Sequence, residues 1–471
     1  MHTLTCDVAV IGAGTAGIAA FRAAEAAGAR AVLIEQGPGG TTCARVGCMP
    51  SKLLVAAAAA AHDARRAGTF GVGVAGVAID GPAVLARVRT ERDRFVAGVL
   101  DGLDAIPADR RLSGRARFRD AGTLAVGEAC RVAFRAAVVA TGSSPSIPEP
   151  LSALGAAVLT TDTVFELPDL PASLAVVGAG AVGIEIAQAM ARLGVTVSLF
   201  ESGSSLAGLS EPTLRDCAAA IFAEDMALHR GSELVAAEAT GDGARLTWTD
   251  STGARHSETF ARVLAAAGRP PNVHGLGLAE AGLRLDGRGM PAFDACTLVC
   301  AGAPILIAGD ANAERPVLHE ASRQGGIAGR NAAALAAGRP PEAPEPWPAL
   351  AMVFTHPQAA RVGAAFDPEA ADGRVVGGMS FADQGRARIE GVNHGGIRLW
   401  ADRAGTLLGG ELLGPDCEHL AHILAYAIAD GLTVQALRAR PVYHPTVEEG
   451  LGRALSDVMR VLEGLPREAR P

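Results

Sequence analysis

The sequence predicts an α/β protein: two doubly wound, parallel-sheet units followed by an α+β domain. Three observations carry this expectation. Residues 7–35 and 174–201 follow one plan, in which a β-branched, apolar run leads into G-x-G-x-x-G, an Ala-rich amphipathic stretch and a second apolar run closing on glutamate. The spacing repeats as well: 23 residues separate Gly12 from Glu35 and 23 separate Gly178 from Glu201, the length over which a strand–helix–strand unit returns beside its first strand. Beyond a proline-dense stretch at 336–348, which reads as a linker, the pattern changes to paired strands over 395–414 and an apolar-faced helix over 416–432.

The residue types of the repeat make each copy a Rossmann-like dinucleotide-binding unit. Gly12 and Gly178 permit the tight turn, Gly14 and Gly180 let backbone approach a pyrophosphate, and Gly17 and Gly183 let the helix lie close to the strand. A pyrophosphate then meets the unpaired N–H groups of a helix N-terminus. Glu35 and Glu201, each ending a second strand, are placed to accept from ribose hydroxyls. Glu201 favours NAD over NADP, because a carboxylate repels a 2′-phosphate and no arginine follows it before Arg215.

The stretch GGTTCARVGCMPSK at 39–52 follows the first of these glutamates. Cys43 and Cys48 lie 8 and 13 residues beyond Glu35, on the segment leaving the nucleotide site, and Lys52 is the single lysine among 42 basic residues. Pro50 suits the first turn of a helix running through residues 51–66. Four intervening residues in a turn or helical coil can bring two sulfurs into bonding range, and a thiolate at a helix N-terminus is reactive. A zinc half-site or two unrelated buried thiols is the alternative, although C-x4-C is not the usual zinc spacing and no second Cys/His cluster accompanies it. Cys296 and Cys300 fall in a strand-like run and read as core or surface residues.

A thiol pair that exchanges protons needs a base, and histidine is suited to neutral pH. Among 11 histidines, His444 in HPTVEE is set apart by the following proline and by Glu449, close enough to orient an imidazole.

Composition narrows the remaining classes. A chain of 471 residues implies several domains, and a net charge of −8 argues against a nucleic-acid partner. The most alanine-rich run, 53–61, is shorter than the roughly 20 residues of a membrane span, and a glycine motif interrupts the N-terminal apolar run, so neither a membrane segment nor a signal peptide is expected. The default location is cytoplasmic.

Taken together, GAGTAG, GTTCARVGCMPSK, GRARF, VVATGSSPSIP, VVGAGAVGIEIA, AAGRPPN, ILIAGDAN, LHEASRQGG and YHPTVEEG run along nearly the whole chain. As a set they resemble the pyridine nucleotide-disulfide oxidoreductases, most closely the dihydrolipoyl dehydrogenases. The resemblance implies FAD in the first unit, NAD in the second, and a Cys43–Cys48 disulfide that relays electrons, with Cys43 exchanging with substrate and Cys48 nearer the flavin. It places Lys52 beside flavin N5 and pairs it with Glu185, and it makes His444 the acid/base, with Glu449 as its partner, acting across a homodimer. It further assigns Asp310 to the ribitol hydroxyls, backbone at Ala116 and Ser143 and the helix beginning near His319 to FAD, and Thr42, Thr141, Gly142 and Gly268 to the dinucleotide sites. A lipoyl domain of a multienzyme complex is the implied partner. The implied domains are 1–147 and 273–345 for FAD, 148–272 for NAD and 346–471 for dimerisation. Ala181 stands where several relatives carry a bulkier residue, and Arg323 and Gln324 replace acidic character. A glutathione or mercuric reductase-like enzyme, or a flavoprotein subunit without catalysis, remains the alternative.

Overall fold

The valines and isoleucines before the first glycine motif form a strand, Val8–Ile11, at the centre of a parallel sheet. The computed structural model describes residues 2–241, 243–369 and 373–465. These fall into two compact units, one of residues 1–50, 89–146 and 269–346, the other of residues 51–88, 147–268 and 347–471.

In the first unit the sheet runs Ile305–Ile307, Ala136–Val139, Val8–Ile11, Ala31–Glu35, Arg111–Ser113, all parallel. Apart from the edge strand Arg111–Ser113 and the closing Glu35, its strands are apolar on both faces, as a sheet covered on both sides requires. Val8, Val10 and Leu33 pack with Ala16, Ala20 and Ala328 of the helices Thr15–Ala26 and Leu318–Ala336. Ala9, Ile11, Val32 and Ile34 face Phe118, Leu124 and Val132 of a second, four-stranded sheet.

The second unit repeats the arrangement. Ala227–Arg230, Thr196–Glu201, Ser173–Val177, Arg262–Ala265 and Val158–Leu159 form a parallel sheet in that order. One face carries the helix Ala181–Arg192. The other meets Leu246, Trp248 and Phe260 of a three-stranded antiparallel sheet. Residues 395–414 are paired strands as expected: Gly396–Ala401 and Leu407–Gly414 lie antiparallel within a five-stranded sheet, and Cys417–Ala429 is the helix that follows.

Two expectations change. The run Cys296–Cys300 is not a continuous strand: it opens as a turn, because Asp294 accepts from the N–H groups of Cys296 and Thr297 and curls the chain, and only Val299 and Cys300 make isolated β-bridges, to Leu306 and Phe293. The helical stretch Thr42–Phe70 is long and apolar enough to cross a membrane by length and composition alone, a length that the run 53–61 did not suggest. Its alanines raise the hydropathy, yet Leu54, Ala58 and Ala61 pack on Ile184 and Ala187 in the core of the second unit.

Candidate active site

Both glycine turns are built alike. Gly12 and Gly178 sit at φ of +103° and +108°, which only glycine adopts without strain. A Cβ on Gly17 would lie 1.7 Å from the Gly12 carbonyl oxygen, and one on Gly183 would lie 1.8 Å from that of Gly178, so turn and helix touch through backbone. Gly14 and Gly180 differ. A Cβ there meets no atom within 4 Å, and each residue begins its helix with no side chain capping the first N–H groups. The open space in front of uncapped donors fits a pyrophosphate. The glutamates lock these turns: Glu35 accepts from Ala13 N at 2.7 Å and Gly37 N at 2.8 Å, and Glu201 accepts from Ala179 N at 2.7 Å and Gly203 N at 2.6 Å.

Arg230 is the strand neighbour of Glu201 in register, so an arginine does stand beside that glutamate. It donates to Asp216 at 3.1 Å, and Arg215 donates to Asp216 and to the Ser204 carbonyl. The Arg230 hydrogen bond holds the Asp216 carboxyl below its usual range. Local sequence had no means of finding Arg230, which lies 29 residues beyond Glu201.

The cysteines flank a closed loop. Thr42 and Cys43 lie on the one-turn helix Thr42–Arg45, capped by Thr41, and Cys48 is the first residue of the helix Cys48–Arg66. The helix therefore starts two residues before Pro50. Gly47 makes the loop tight, since a Cβ there would sit 3.0 Å from the Thr42 carbonyl oxygen and 3.3 Å from the Cys43 Cα.

One turn beyond Cys48, Lys52 Nζ bonds Glu185 Oε2 at 2.7 Å, the pair that the resemblance implied. Glu185 is 3% exposed and Lys52 34%. The other carboxylate oxygen accepts from Phe354 N at 2.8 Å, and the Phe354 ring centre lies 4.7 Å from Lys52 Nζ. Phe354 was not found from sequence.

His444 Nδ1 lies 3.0 Å from Glu449 Oε1, and Thr446 N donates to Glu449 Oε2 at 3.2 Å. The His444 hydrogen bond, with help from that backbone bond, keeps the Glu449 carboxyl below its ordinary value. The His444–Pro445 bond is cis. His444 and Glu449 belong to the second unit, while Cys43 and Cys48 belong to the first. On its own chain the His444 side chain is 79% exposed, beside a groove lined by Ile423, Leu437, Tyr443 and Leu451.

In the first unit the buried Ser143 hydroxyl donates to Asp310 Oδ2 at 2.8 Å and accepts from Arg269 Nε at 3.2 Å. Thr141 donates to the Asn272 carbonyl, and Gly142 takes a φ of +68° between them and Ser143. Gly142 has open space where a side chain would stand. Ala116 is buried and pairs with Val126, and His319 is the second residue of the helix Leu318–Ala336. In the second unit Gly268 has a φ of +127° and open space at its Cβ position, and Ala181 is the first residue of its helix. Gln324 fixes the turn that presents Asp310, its Oε1 accepting from Gly309 N at 2.8 Å and from Asn312 Nδ2 at 2.9 Å. Arg323 donates to the Glu345 carbonyl and ties the helix to the proline-rich segment.

A family model described as pyridine nucleotide-disulphide oxidoreductase matches residues 6–326, and the model of that family's dimerisation domain matches residues 350–455. The chain is a pyridine nucleotide-disulphide oxidoreductase. As such it is a flavoprotein that binds FAD and a nicotinamide dinucleotide around a redox-active disulfide centre, and it forms homodimers through its C-terminal domain. Among curated relatives of this oxidoreductase, a mercuric reductase of Streptomyces lividans is 33% identical over 94% of both chains. A dihydrolipoyl dehydrogenase of Geobacillus stearothermophilus is 30% identical over 98% of this chain and 97% of its own. Its fold is shared by LpdA from Mycobacterium tuberculosis, with TM-score 0.81 at 24% identity, covering 96% of this chain and 99% of that one. The flavoprotein disulfide reductase RclA from Escherichia coli, in a Cu(II) complex, gives 0.80 at 22% with the same coverage.

Proposed function

We propose that this oxidoreductase oxidises protein-bound dihydrolipoamide to lipoamide with NAD⁺ as acceptor, working on lipoyl domains of a multienzyme complex. The observation that carries the reading is the His444–Glu449 pair at 3.0 Å, in a chain that also holds the Cys43/Cys48 loop and Lys52. Glu449 accepts at Nδ1 and leaves Nε2 to take a proton.

The sulfur steps use the chain's own residues. His444 of one subunit removes a proton from a dihydrolipoamide thiol. The thiolate attacks Cys43 Sγ of the Cys43–Cys48 disulfide, forming a mixed disulfide while the electron pair of the broken bond stays on Cys48. The second lipoyl thiol then attacks the lipoyl sulfur of the mixed disulfide, closing the lipoamide ring and expelling Cys43; its proton passes to the leaving Cys43 sulfur, while His444 keeps the proton taken from the first thiol. When bound, FAD supplies two-electron transfer from the reduced cysteines to NAD⁺. Lys52, held by Glu185, offers a compact positive charge at the position assigned to flavin N5. Asp310, fixed by Gln324 and Ser143, is the carboxylate assigned to the ribitol chain.

NAD is favoured because Glu201 stands at the ribose end and Asp216 engages both nearby arginines. The identity of 33% to a mercuric reductase supports a second reading, a reductase of another thiol-reactive substrate drawing on NAD(P)H.

Side-by-side steady-state kinetics with dihydrolipoamide, glutathione disulfide and Hg(II), each with NAD(H) and NADP(H), test the proposal. A dominant kcat/KM for dihydrolipoamide with NAD⁺ is expected. A higher value for either alternative substrate overturns it.

A further inference from the structure

We infer that Phe354 is a positioning residue for Lys52, held in place by a clamp of buried polar side chains on the helix Ala181–Arg192. This rests on the reading that Lys52 serves the bound flavin.

The strand Leu350–Val353 ends one residue before Phe354, so the backbone at 354–356 lies past the end of its sheet. Glu185, Gln188 and Arg192 replace that support. Spacings of three and four put them on one helix face. All three are buried, at 3%, 3% and 7% exposure. Glu185 Oε1 accepts from Phe354 N at 2.8 Å. Gln188 grips His356 twice, accepting from its N–H at 2.8 Å and donating to its carbonyl at 2.8 Å. Arg192 donates to the same carbonyl at 2.9 Å, and Asp225 anchors both Gln188 and Arg192 from the other side.

A helix interior rarely spends three buried polar side chains on the backbone of one short segment, because each must be fully satisfied to avoid a desolvation penalty. Here the return is geometric. One carboxylate holds two things at once: its Oε2 holds the ammonium at 2.7 Å, and its Oε1 holds the backbone that carries the ring. The ring then stands 4.7 Å from the same ammonium, within cation–π range. Lys52 has a flexible stem and is one-third exposed, so without the ring its charge sweeps a wider arc about Glu185. Phe354 therefore sets the direction in which the ammonium points, and the clamp sets Phe354.

Because Lys52 is the only lysine, labelling the holoenzyme with isotopic lysine gives a single set of side-chain NMR signals. In the wild type these signals should be displaced by the ring current of Phe354, whose ring centre lies 4.7 Å from Lys52 Nζ. Phe354→Leu should return them toward free-lysine positions, alter the flavin absorption spectrum and lower kcat several-fold with the KM for NAD⁺ unchanged, at full flavin content. Phe354→Tyr keeps a ring and should restore all three. Gln188→Leu should give a partial form of the leucine phenotype. Lys52 signals that are the same in wild type and Phe354→Leu overturn the proposal, as does equal displacement in the leucine and tyrosine variants. Lys52→Met separates the two levels of failure. If it changes spectrum and kcat while Phe354→Leu changes neither, the positioning role is wrong. If Lys52→Met itself changes neither, the flavin reading of Lys52 fails and takes the positioning role with it.

Discussion

Replacing Lys52 with methionine keeps an unbranched stem and deletes the charge, which isolates the worth of the Lys52–Glu185 pair. Glu185 is 3% exposed and would keep the Phe354 N–H at 2.8 Å while losing its counter-ion at 2.7 Å. Removing one member of a buried ion pair costs about 3–5 kcal/mol when the other charge stays uncompensated. Two features reduce this: water reaches the 34%-exposed Lys52 side, and the Phe354 bond still stabilises the carboxylate, so about 2 kcal/mol is expected. Glu185→Gln in the methionine background removes the stranded charge, and the double variant should lie within about 1 kcal/mol of wild type. Urea unfolding followed by tryptophan fluorescence suits the measurement, because Trp248, Trp347 and Trp400 all belong to the unit that contains the pair. A coupling energy below about 0.5 kcal/mol would refute the reasoning, since the two charges would then not be compensating one another.

Gly17→Ala should prevent folding of the first unit, with its Cβ 1.7 Å from the Gly12 carbonyl, whereas Gly14→Ala, with open space, should fold and lose FAD; circular dichroism and flavin content distinguish them. On the proposed mechanism, His444→Gln lowers kcat with dihydrolipoamide by about 10²–10⁴-fold and Glu449→Gln by about 10–100-fold, and Glu449→Gln also shifts the acidic limb of the kcat/KM–pH profile; equal rates across the series would exclude the pair from proton transfer. Burial, with Arg192 beside it, pushes His62 down to about 4 from 6.5. Between those values the unfolded chain binds a proton that the folded chain refuses, so stability present above pH 6.5 is lost as pH falls toward about 4. The gap is worth at most about 3 kcal/mol, and about 1–2 for a half-buried ring; His62→Asn should flatten the pH dependence of the melting temperature over this window. Asp216→Asn releases Arg215 and Arg230 beside Glu201 and should raise the NADPH/NADH preference several-fold in kcat/KM, and an unchanged ratio would mean that neither arginine reaches the ribose.

The parts of this molecule that sequence revealed are those in which cause and effect are close along the chain. Gly17 is needed because Gly12 lies five residues away, and the spacing to Glu35 is fixed by one strand–helix–strand circuit. Cys43, Gly47 and Cys48 form a single loop, and His444 meets Glu449 within one turn of backbone. Distance along the chain defeated the rest. Phe354 reaches Glu185 across 169 residues, with no periodicity to announce it. Gln188 and Arg192 look like ordinary helix-surface residues until the 354–356 segment covers them. Arg230 comes beside Glu201 by strand pairing, which a search for nearby arginines cannot see. At Cys296–Cys300 the apolar alternation was real, but Asp294 bends the segment through hydrogen bonds that hydropathy does not encode. Gln324 read as a missing acid, and its amide is in fact what the Gly309–Asn312 turn requires: a neutral acceptor for a backbone and a side-chain donor.

The two glutamates also bear on why the glycine turns recur so faithfully. Each carboxylate already accepts two backbone N–H groups, one from the residue after the first glycine and one from two positions beyond itself. Each oxygen keeps a further lone pair, so holding the turn and accepting from a ribose are compatible duties. Glutamine at either position would retain one acceptor and turn an N–H₂ toward a backbone donor, loosening the turn as well as losing a ribose bond. On the proposed reading, the same residue therefore sets the backbone offered to a pyrophosphate and the acceptor offered to a ribose in one piece. A substitution intended to change the nucleotide at residue 201 will disturb the Gly178–Gly183 turn too, which makes Asp216, outside that lock, the cleaner place to alter cofactor choice.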